Sequence, residues 1–388
     1  METGSDGGDQ SRLRQLNERA VLRAVRGAGG LRVSELVDQT GLGRTAIEDL
    51  VLSLVERRWL TEERSAAGAR GRPARTYRFR AEAGYVAGVD IGAYGVRAVL
   101  SDLAGEVIAT ARQELAPSDP RADRLDAADR AISACIDAAP AGTGVWAVGV
   151  GTTGTVDSTG RVTRSGAIPD WPGADLAAHF RDSRHALVVV DNDSQLAAVA
   201  EHRRGAAQGV ADVVLLQAGR RTGLATVVDG RLRRGFHGAA GDLSSLPMVK
   251  WEAAIKYLHR CAAVPDSVPL KDRAERVFEA ARAGNRAAAT AVRRYVEAMA
   301  VAAATAIGIV APQVLVVGGA FSRAADLILE PLRVELEELA GEVPELRASS
   351  LGAESVALGG ISLALDALDV RLLSGSRGAL PELAAESL

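Results

Sequence analysis

The sequence predicts an α/β protein in two parts: a small helical head closed by two strands, and a larger body of two strand-rich halves with a cleft between them. Three features of the chain lead to it. Apolar residues recur every three to four positions through residues 14–57 and then alternate from Trp59, the change of period that separates helix from strand. A strand, Gly turn, strand pattern occurs around residues 84–108 and again around 213–232. An all-β-branched run, Val188 to Val190, ends in Asp191-Asn192-Asp193 and passes straight into an Ala-rich helical pattern. The expected division is a flexible N-terminus (1–10), a head (11–80), a first half of the body (84–200), a second half (201–371) and a flexible tail (372–388).

Composition narrows the class. The chain has 388 residues, 47% apolar and 24% charged, enough to build a core in each part and too little charge for bulk disorder. Cys135 and Cys261 stand far apart with no paired-ligand spacing, so neither a disulfide framework nor a zinc knuckle is expected, in keeping with a reducing cytosol. The Gly/Asp-rich start is neither a signal peptide nor a membrane segment. The most apolar helical run, residues 298–310, is too short to span a bilayer. The expectation is a cytoplasmic protein with no membrane partner. Net charge is −3 overall, yet residues 1–80 hold 15 Arg against 11 Asp and Glu, and the remainder carries −7. A basic head on an acidic body is the asymmetry of a nucleic-acid binder.

Within the head, residues 14–26 place Leu16, Ala20, Val21, Ala24 and Val25 on one helical face, and Gly27-Ala-Gly-Gly30 stops the helix. A short helix over 33–39 meets the turn Thr40-Gly-Leu42, where Gly41 allows a positive φ. A longer helix over 43–57 turns Ile47, Leu50, Val51, Leu54 and Val55 inward and leaves Arg44, Thr45, Glu48, Asp49 and Leu52 outward. Short helix, Gly turn, longer amphipathic helix is the helix-turn-helix signature. Two alternating stretches, 59–63 and 74–80, add a wing, and the loop between them contains Arg70-Gly-Arg-Pro73. Flat, Gly-permissive and stiffened by Pro, it suits insertion of Arg70 and Arg72 into a narrow minor groove. Arg44 and Thr45, at the start of the third helix, are the candidates for the major groove of double-stranded operator DNA. The blander alternatives are a solvated Arg-rich linker or a helical hairpin for protein contact.

In the body, the first hairpin of the 84–108 meander is expected to bear Asp90 at its Gly-bearing tip, an arrangement that can wrap phosphates and position Mg²⁺. A helix over 121–138, a strand ending in the Gly/Thr loop 151–157, the 188–201 strand-helix, a second meander over 213–232, a long helix over 286–310 and a strand at 313–317 complete the pattern. Ligands of α/β proteins bind where a strand end meets a helix N-terminus, which marks Asn192 and Asp193; the alternative is that they only cap the helix.

These stretches resemble, in order and over residues 12–370, the ROK group of bacterial repressors and sugar kinases: Gly-Arg-Pro at 71–73, Gly88-Val-Asp-Ile-Gly92, Gly151-Thr-Thr-Gly-Thr-Val-Asp157, Trp171, Asn192-Asp193 with Glu201, Asp229-Gly-Arg-Leu-Arg-Arg-Gly235, Gly238-Ala-Ala-Gly241 and Val317-Gly-Gly319. The resemblance implies a two-lobed actin/hexokinase-like (ribonuclease H-like) domain behind an N-terminal winged helix-turn-helix. It implies that the Asp matching Asp193 is the base taking a proton from a sugar hydroxyl, and that Asn192 holds the sugar. The pattern is altered, however. The Glu and His expected to grip the sugar are Asp242 and Ser245, and the Cys-rich zinc segment that should follow is missing. The first phosphate turn reads Ala93-Tyr94, the second Gly219-Arg-Arg-Thr-Gly223, and Ala167 stands where an Asn precedes the Trp. The arginine pair could bind an anion but cannot copy an amide cradle. Neither zinc nor ATP is therefore expected, and Asp193 becomes a vestigial base. The resulting expectation is a non-catalytic transcriptional regulator, a repressor, acting as a homodimer or higher homo-oligomer, with Asn192, Asp193, Asp242 and Ser245 as the ligand site for a sugar or related effector, or else controlled by another metabolite, a protein partner or abundance. The alternative is an ATP-dependent sugar kinase with an accessory DNA-binding domain.

Overall fold

The computed structural model describes residues 6–64, 75–140, 144–243, 246–373 and 380. The head comprises α1 (Asp6–Ala28), β1 (Leu31–Arg32), α2 (Val33–Thr40), α3 (Arg44–Glu56), β2 (Leu60–Arg64) and β3 (Arg75–Phe79). Gly41 ends α2 with φ 70° and donates its N–H to the Val37 carbonyl at 2.9 Å, the left-handed closure that glycine adopts without a Cβ penalty. The 3–4 spacing does what it predicts: Ile47, Leu50, Val51 and Leu54 of α3 bury against Val21, Leu22 and Val25 of α1 and Leu36 of α2. β2 and β3 pair antiparallel, with Leu60 opposite Phe79, and β1 adds to the other side of β3. The loop holding Arg70 and Arg72 lies outside the described residues.

The body starts with β4 (Tyr85–Gly92), β5 (Gly95–Asp102) and β6 (Val107–Glu114), an antiparallel meander. α4 (Arg121–Asp137) leads to β7 (Val145–Thr152), the small hairpin β8 (Thr155–Val156) and β9 (Val162–Arg164), α5 (Leu176–Arg184) and β10 (Leu187–Asn192). β7 and β10 run parallel to β4, giving the sheet order β10-β7-β4-β5-β6. α6 (Asp193–Arg204) crosses to the second half, where β11 (Val213–Gln217), β12 (Gly223–Val228) and β13 (Arg231–Leu232) repeat the meander. α7 (Trp251–His259), α8 (Leu270–Arg282) and α9 (Arg286–Val310) precede β14 (Val314–Gly318); α10 (Ala325–Ala340), β15 (Glu345–Ala348) and α11 (Ser355–Leu373) follow. The second sheet has the order β15-β14-β11-β12-β13, again a meander plus two parallel strands. Strand for strand, the halves have the same topology.

Three apolar layers hold this arrangement. α4 and α5 cover one face of the first sheet, around Trp171 and Phe180. α7 to α10 cover the second sheet, around Tyr295, Phe278 and Phe321. Between the sheets α11 lies on α6, β4 and β7, and only glycine permits so close an approach. A Cβ on Gly359 would strike the Leu196 carbonyl, and one on Gly88 the Ala357 carbonyl. α11 thus returns from the second half to the first sheet.

Of the stretch expected as a flexible tail, residues 372, 373 and 380 are among those described. Leu373 and Leu380 are 8% and 6% exposed and belong to the head's own core. Arg57 pairs with Glu18 at 2.8 Å and donates to the Leu380 carbonyl. Arg19 and Arg23 of α1 donate to the Leu372 and Leu373 carbonyls at 3.0 and 3.2 Å. Arg26 pairs with Asp369, donates to the Leu103 carbonyl at 2.6 Å and lies over the Phe79 ring. Trp59 meets Trp146 of β7 edge to face, with centroids 5.7 Å apart. Apolar residues at helical spacing reveal a core face; they do not say that its last members come from the other end of the chain.

Candidate functional site

β10 delivers Asp191, Asn192 and Asp193 to the C-terminal side of the first sheet, where Asp191 pairs in register with Gly151 and Asn192 with Thr152. Beneath them the fully buried Trp171 donates its indole N–H to Thr152 Oγ1 at 2.8 Å, and Thr152 donates to the Ile91 carbonyl at 3.1 Å. Asn192 caps α6: its Oδ1 accepts from the Ser194 and Gln195 amides at 2.9 and 3.3 Å, and its Nδ2 donates to the Gly154 carbonyl at 2.9 Å. Asn192 is therefore a helix cap, with its Oδ1 and one Nδ2 hydrogen engaged in local structure. Asp193, the first residue of α6, accepts from the Ser194 amide at 2.7 Å and its hydroxyl at 3.2 Å.

Asp193 faces a second acid. Asp90 lies on β4 opposite Arg97 of β5, two residues before the Gly92–Gly95 pair that closes the hairpin, and so not at the tip itself. Burial, then the neighbouring Asp193 charge, raise Asp90 to about 7, with Arg97 opposing. Burial raises Asp193 to about 6, against hydrogen bonds from Ser194 and Asn192 and the charge of Arg221. Two neighbouring carboxylates in a partly covered site cannot both ionise cheaply. Carboxylates so placed can take up a proton near neutral pH or accept from a hydroxyl.

The opposite wall is the segment after β13. Gln195, 1% exposed, donates its amide to the Gly238 carbonyl at 3.2 Å, and its Oε1 has no hydrogen-bond partner among the described residues. Arg234 reaches back to Asp191 at 2.5 Å, and Asp242 is held by Arg164 of β9. Of the four predicted ligand residues, Asn192 and Asp193 adjoin, Asp242 lies on the facing wall, and Ser245 is outside the described residues. Sequence reasoning missed Asp191, whose carboxyl is 4% exposed and raised by burial against the pull of Arg234. Its signal was available in the Asp191-Asn192-Asp193 run. Nothing in the sequence pointed to Arg164.

Further along the cleft the two altered turns meet. The Arg220 guanidinium lies 4.3 Å from the centre of the Tyr94 ring and donates to the Lys271 carbonyl, while Arg221 donates to the Gly166 carbonyl. The buried Tyr295 hydroxyl supports the turn from below, donating to the Gly219 carbonyl at 3.1 Å. Among the described residues no group of three or more His, Cys, Asp or Glu side chains is placed to hold a metal ion.

On the head, Arg44, Thr45, Glu48, Asp49 and Leu52 are all exposed along one face of α3. Gly43 caps that helix without a side-chain bond, and Arg44 pairs with Glu48 at 3.0 Å. No helix among the described residues is long and apolar enough to cross a membrane.

Comparison with known proteins places this geometry. The chain is 22% identical over 355 residues to a xylose repressor of Caldicellulosiruptor bescii, covering 84% of this chain and 88% of that one. Its fold superposes on a ROK family transcriptional regulator described as a homologue of the E. coli MLC protein, with a TM-score of 0.69 at 19% identity, over 94% of this chain and 98% of that one. It also superposes on a ROK family glucokinase from Streptomyces griseus solved with glucose and AMPPNP, with a TM-score of 0.64 at 27% identity, over 73% of this chain and all of that one. Residues 86–262 and 266–367 match the ROK family, and the chain belongs to it.

Proposed function

We propose that the protein is a DNA-binding transcriptional regulator, acting as a repressor, whose kinase-like body senses a small polyhydroxylated effector. The observation that carries this reading is the head. Three helices and a three-stranded sheet present an exposed polar helix face, and a ROK glucokinase accounts for the body while leaving the head over. The head is read as a winged helix, with α3 in the major groove and the loop that holds Arg70 and Arg72 as its wing. Arg44 is exposed and its partner Glu48 lies on the same surface, so the arginine can exchange that carboxylate for a base edge or phosphate. A homodimer would set two such helices against half-sites.

The effector would lie between the Asp90–Asp193 pair and the facing segment that carries Asp242, where carboxylates can accept from hydroxyls. ATP is not the expected ligand. A phosphate cradle needs backbone amides on an open Gly-rich turn, whereas here Arg220 and Arg221 spread across the turn to Tyr94 and Gly166. An effector that favours one closure of the halves would change the disposition of paired heads, and a tenfold change in DNA affinity needs only ~1.4 kcal/mol of differential binding.

The test is binding to DNA from the protein's own upstream region across a salt series, with and without sugars and sugar phosphates. Selective, salt-dependent binding weakened by one sugar is expected. Arg44→Ala should weaken it about tenfold or more and leave the melting temperature unchanged. Binding no tighter than to random DNA would overturn the regulator. A second reading, a sugar kinase with an accessory head, is favoured by Asp193 at about 6, a suitable value for a general base. Sugar-dependent ATP turnover that Asp193→Asn abolishes would establish it.

A further inference from the structure

The positions at which the body departs from a phosphate-binding pattern are not scattered losses; they touch one another across the cleft. Tyr94 forms the tip of the β4–β5 hairpin, and Arg220 belongs to the β11–β12 turn, its counterpart in the duplicated topology. The tips of the two equivalent hairpins meet through the guanidinium and the ring at 4.3 Å. Arg221, the next residue, bonds the carbonyl of Gly166, beside Ala167. Asp242 takes Arg164 from the facing half. At the outer edge Lys271 of α8 lies 3.5 Å from Glu114 of β6.

We propose that these residues form a clasp, with Arg220 on Tyr94 as its main element, that joins the two halves at the mouth of the cleft and sets how far they open. The charges are arranged for it. Three of the four pairs put the cation on the second half and its ring, carbonyl or carboxylate on the first. Arg220 is further constrained, because Tyr295 holds the preceding carbonyl from below and Lys271 accepts from its tip. The remaining contacts are two solvent-reaching ion pairs and one guanidinium–carbonyl bond, individually weak, so the guanidinium–ring contact supplies the largest share. A glycine at 220 and a small residue at 94 would leave the two turns without reach. Two altered turns therefore constitute one interlobe joint, and this inference stands whether or not the head binds DNA.

Amide hydrogen exchange on the full chain tests it. Arg220→Ala should speed exchange about threefold to thirtyfold in residues 219–223 and also, across the cleft, in residues 93–96. Tyr94→Ala should do the same to both turns. The double variant should be no faster than the faster single variant, and Tyr94→Phe, which keeps the ring, should exchange like the parent chain. Faster exchange confined to the mutated turn would overturn the clasp, as would a double variant whose acceleration is the product of the two single ones. Because both side chains lie at the cleft mouth, melting of Tyr94→Phe at the parent temperature is the control that the fold is intact.

Discussion

The head meets the body differently from the way the body's halves meet each other. At the head junction two tryptophans pack edge to face, Leu373 and Leu380 enter the head core, and Arg19, Arg23 and Arg26 bind backbone carbonyls of the body. At the cleft mouth the contacts are guanidinium on ring, guanidinium on carbonyl and exposed ion pairs. Burying apolar surface fixes a joint; solvated charge pairs hold one loosely. The head junction is therefore the stiffer of the two, and a change at the cleft mouth would be carried to the head through it.

That contrast makes graded expectations. Trp59→Ala removes a side chain only 1% exposed and should cost about 3–5 kcal/mol, read in thermal denaturation, with head amides exchanging first. If the head junction were soft, the loss would be no larger than at a surface site. Gly359→Ala forces a methyl into the Leu196 carbonyl and should cost about 1–3 kcal/mol, with loss of α6–α11 protection. Unchanged stability would show that the central seam can part.

Asp90 gives the soft side a pH signature. Its protonated form is favoured in the folded chain, because its carboxyl is raised from 3.8 to about 7. The stability this confers is complete below pH 4 and drains away as pH climbs toward about 7, by at most about 1.4 kcal/mol per pH unit for one proton. Asp193 adds a slope of the same sign, ending near 6. Asp90→Asn should therefore be more stable than the parent at pH 8 and show a flatter profile by urea titration; an unchanged slope would mean that the two acids lie in open water. The smallest effect belongs to Arg164→Ala, which breaks an exposed pair with Asp242 and should cost no more than about 1 kcal/mol in the same assay. A loss of several kcal/mol would make the cleft as rigid as the head junction.

Much of this architecture could be read before any coordinates. The faces of α1 and α3, the long α9, the repeated meander and the strand end at Asp191 all follow from periodicity and Gly placement, which are local properties of the chain. What could not be read is non-local. Nothing in the order of residues says that Tyr94 will lie under Arg220, 126 residues on, or that α11 will lie on β4 and β7. The site was half legible for the same reason. Asn192 and Asp193 announce themselves at a strand end, whereas Arg164 and Gln195 acquire meaning only from the facing wall. Asn192 combines both cases: its amide oxygen caps its own helix, which the sequence suggests, while its amide nitrogen bonds Gly154, which it does not.

The burial of Leu380 in the head core bears on how the protein is made. Arg57 and Leu380 are 323 positions apart in the chain, so a ribosome that has finished the head sequence must translate the whole body before the last core side chains emerge. Chains that stop early leave the head with an open apolar gap where Leu373 and Leu380 belong. Such fragments carry every residue of the outward α3 face on a destabilised support, and proteolysis removes preferentially what opens easily. The head core is thus completed only by residues that emerge after the whole body has been made.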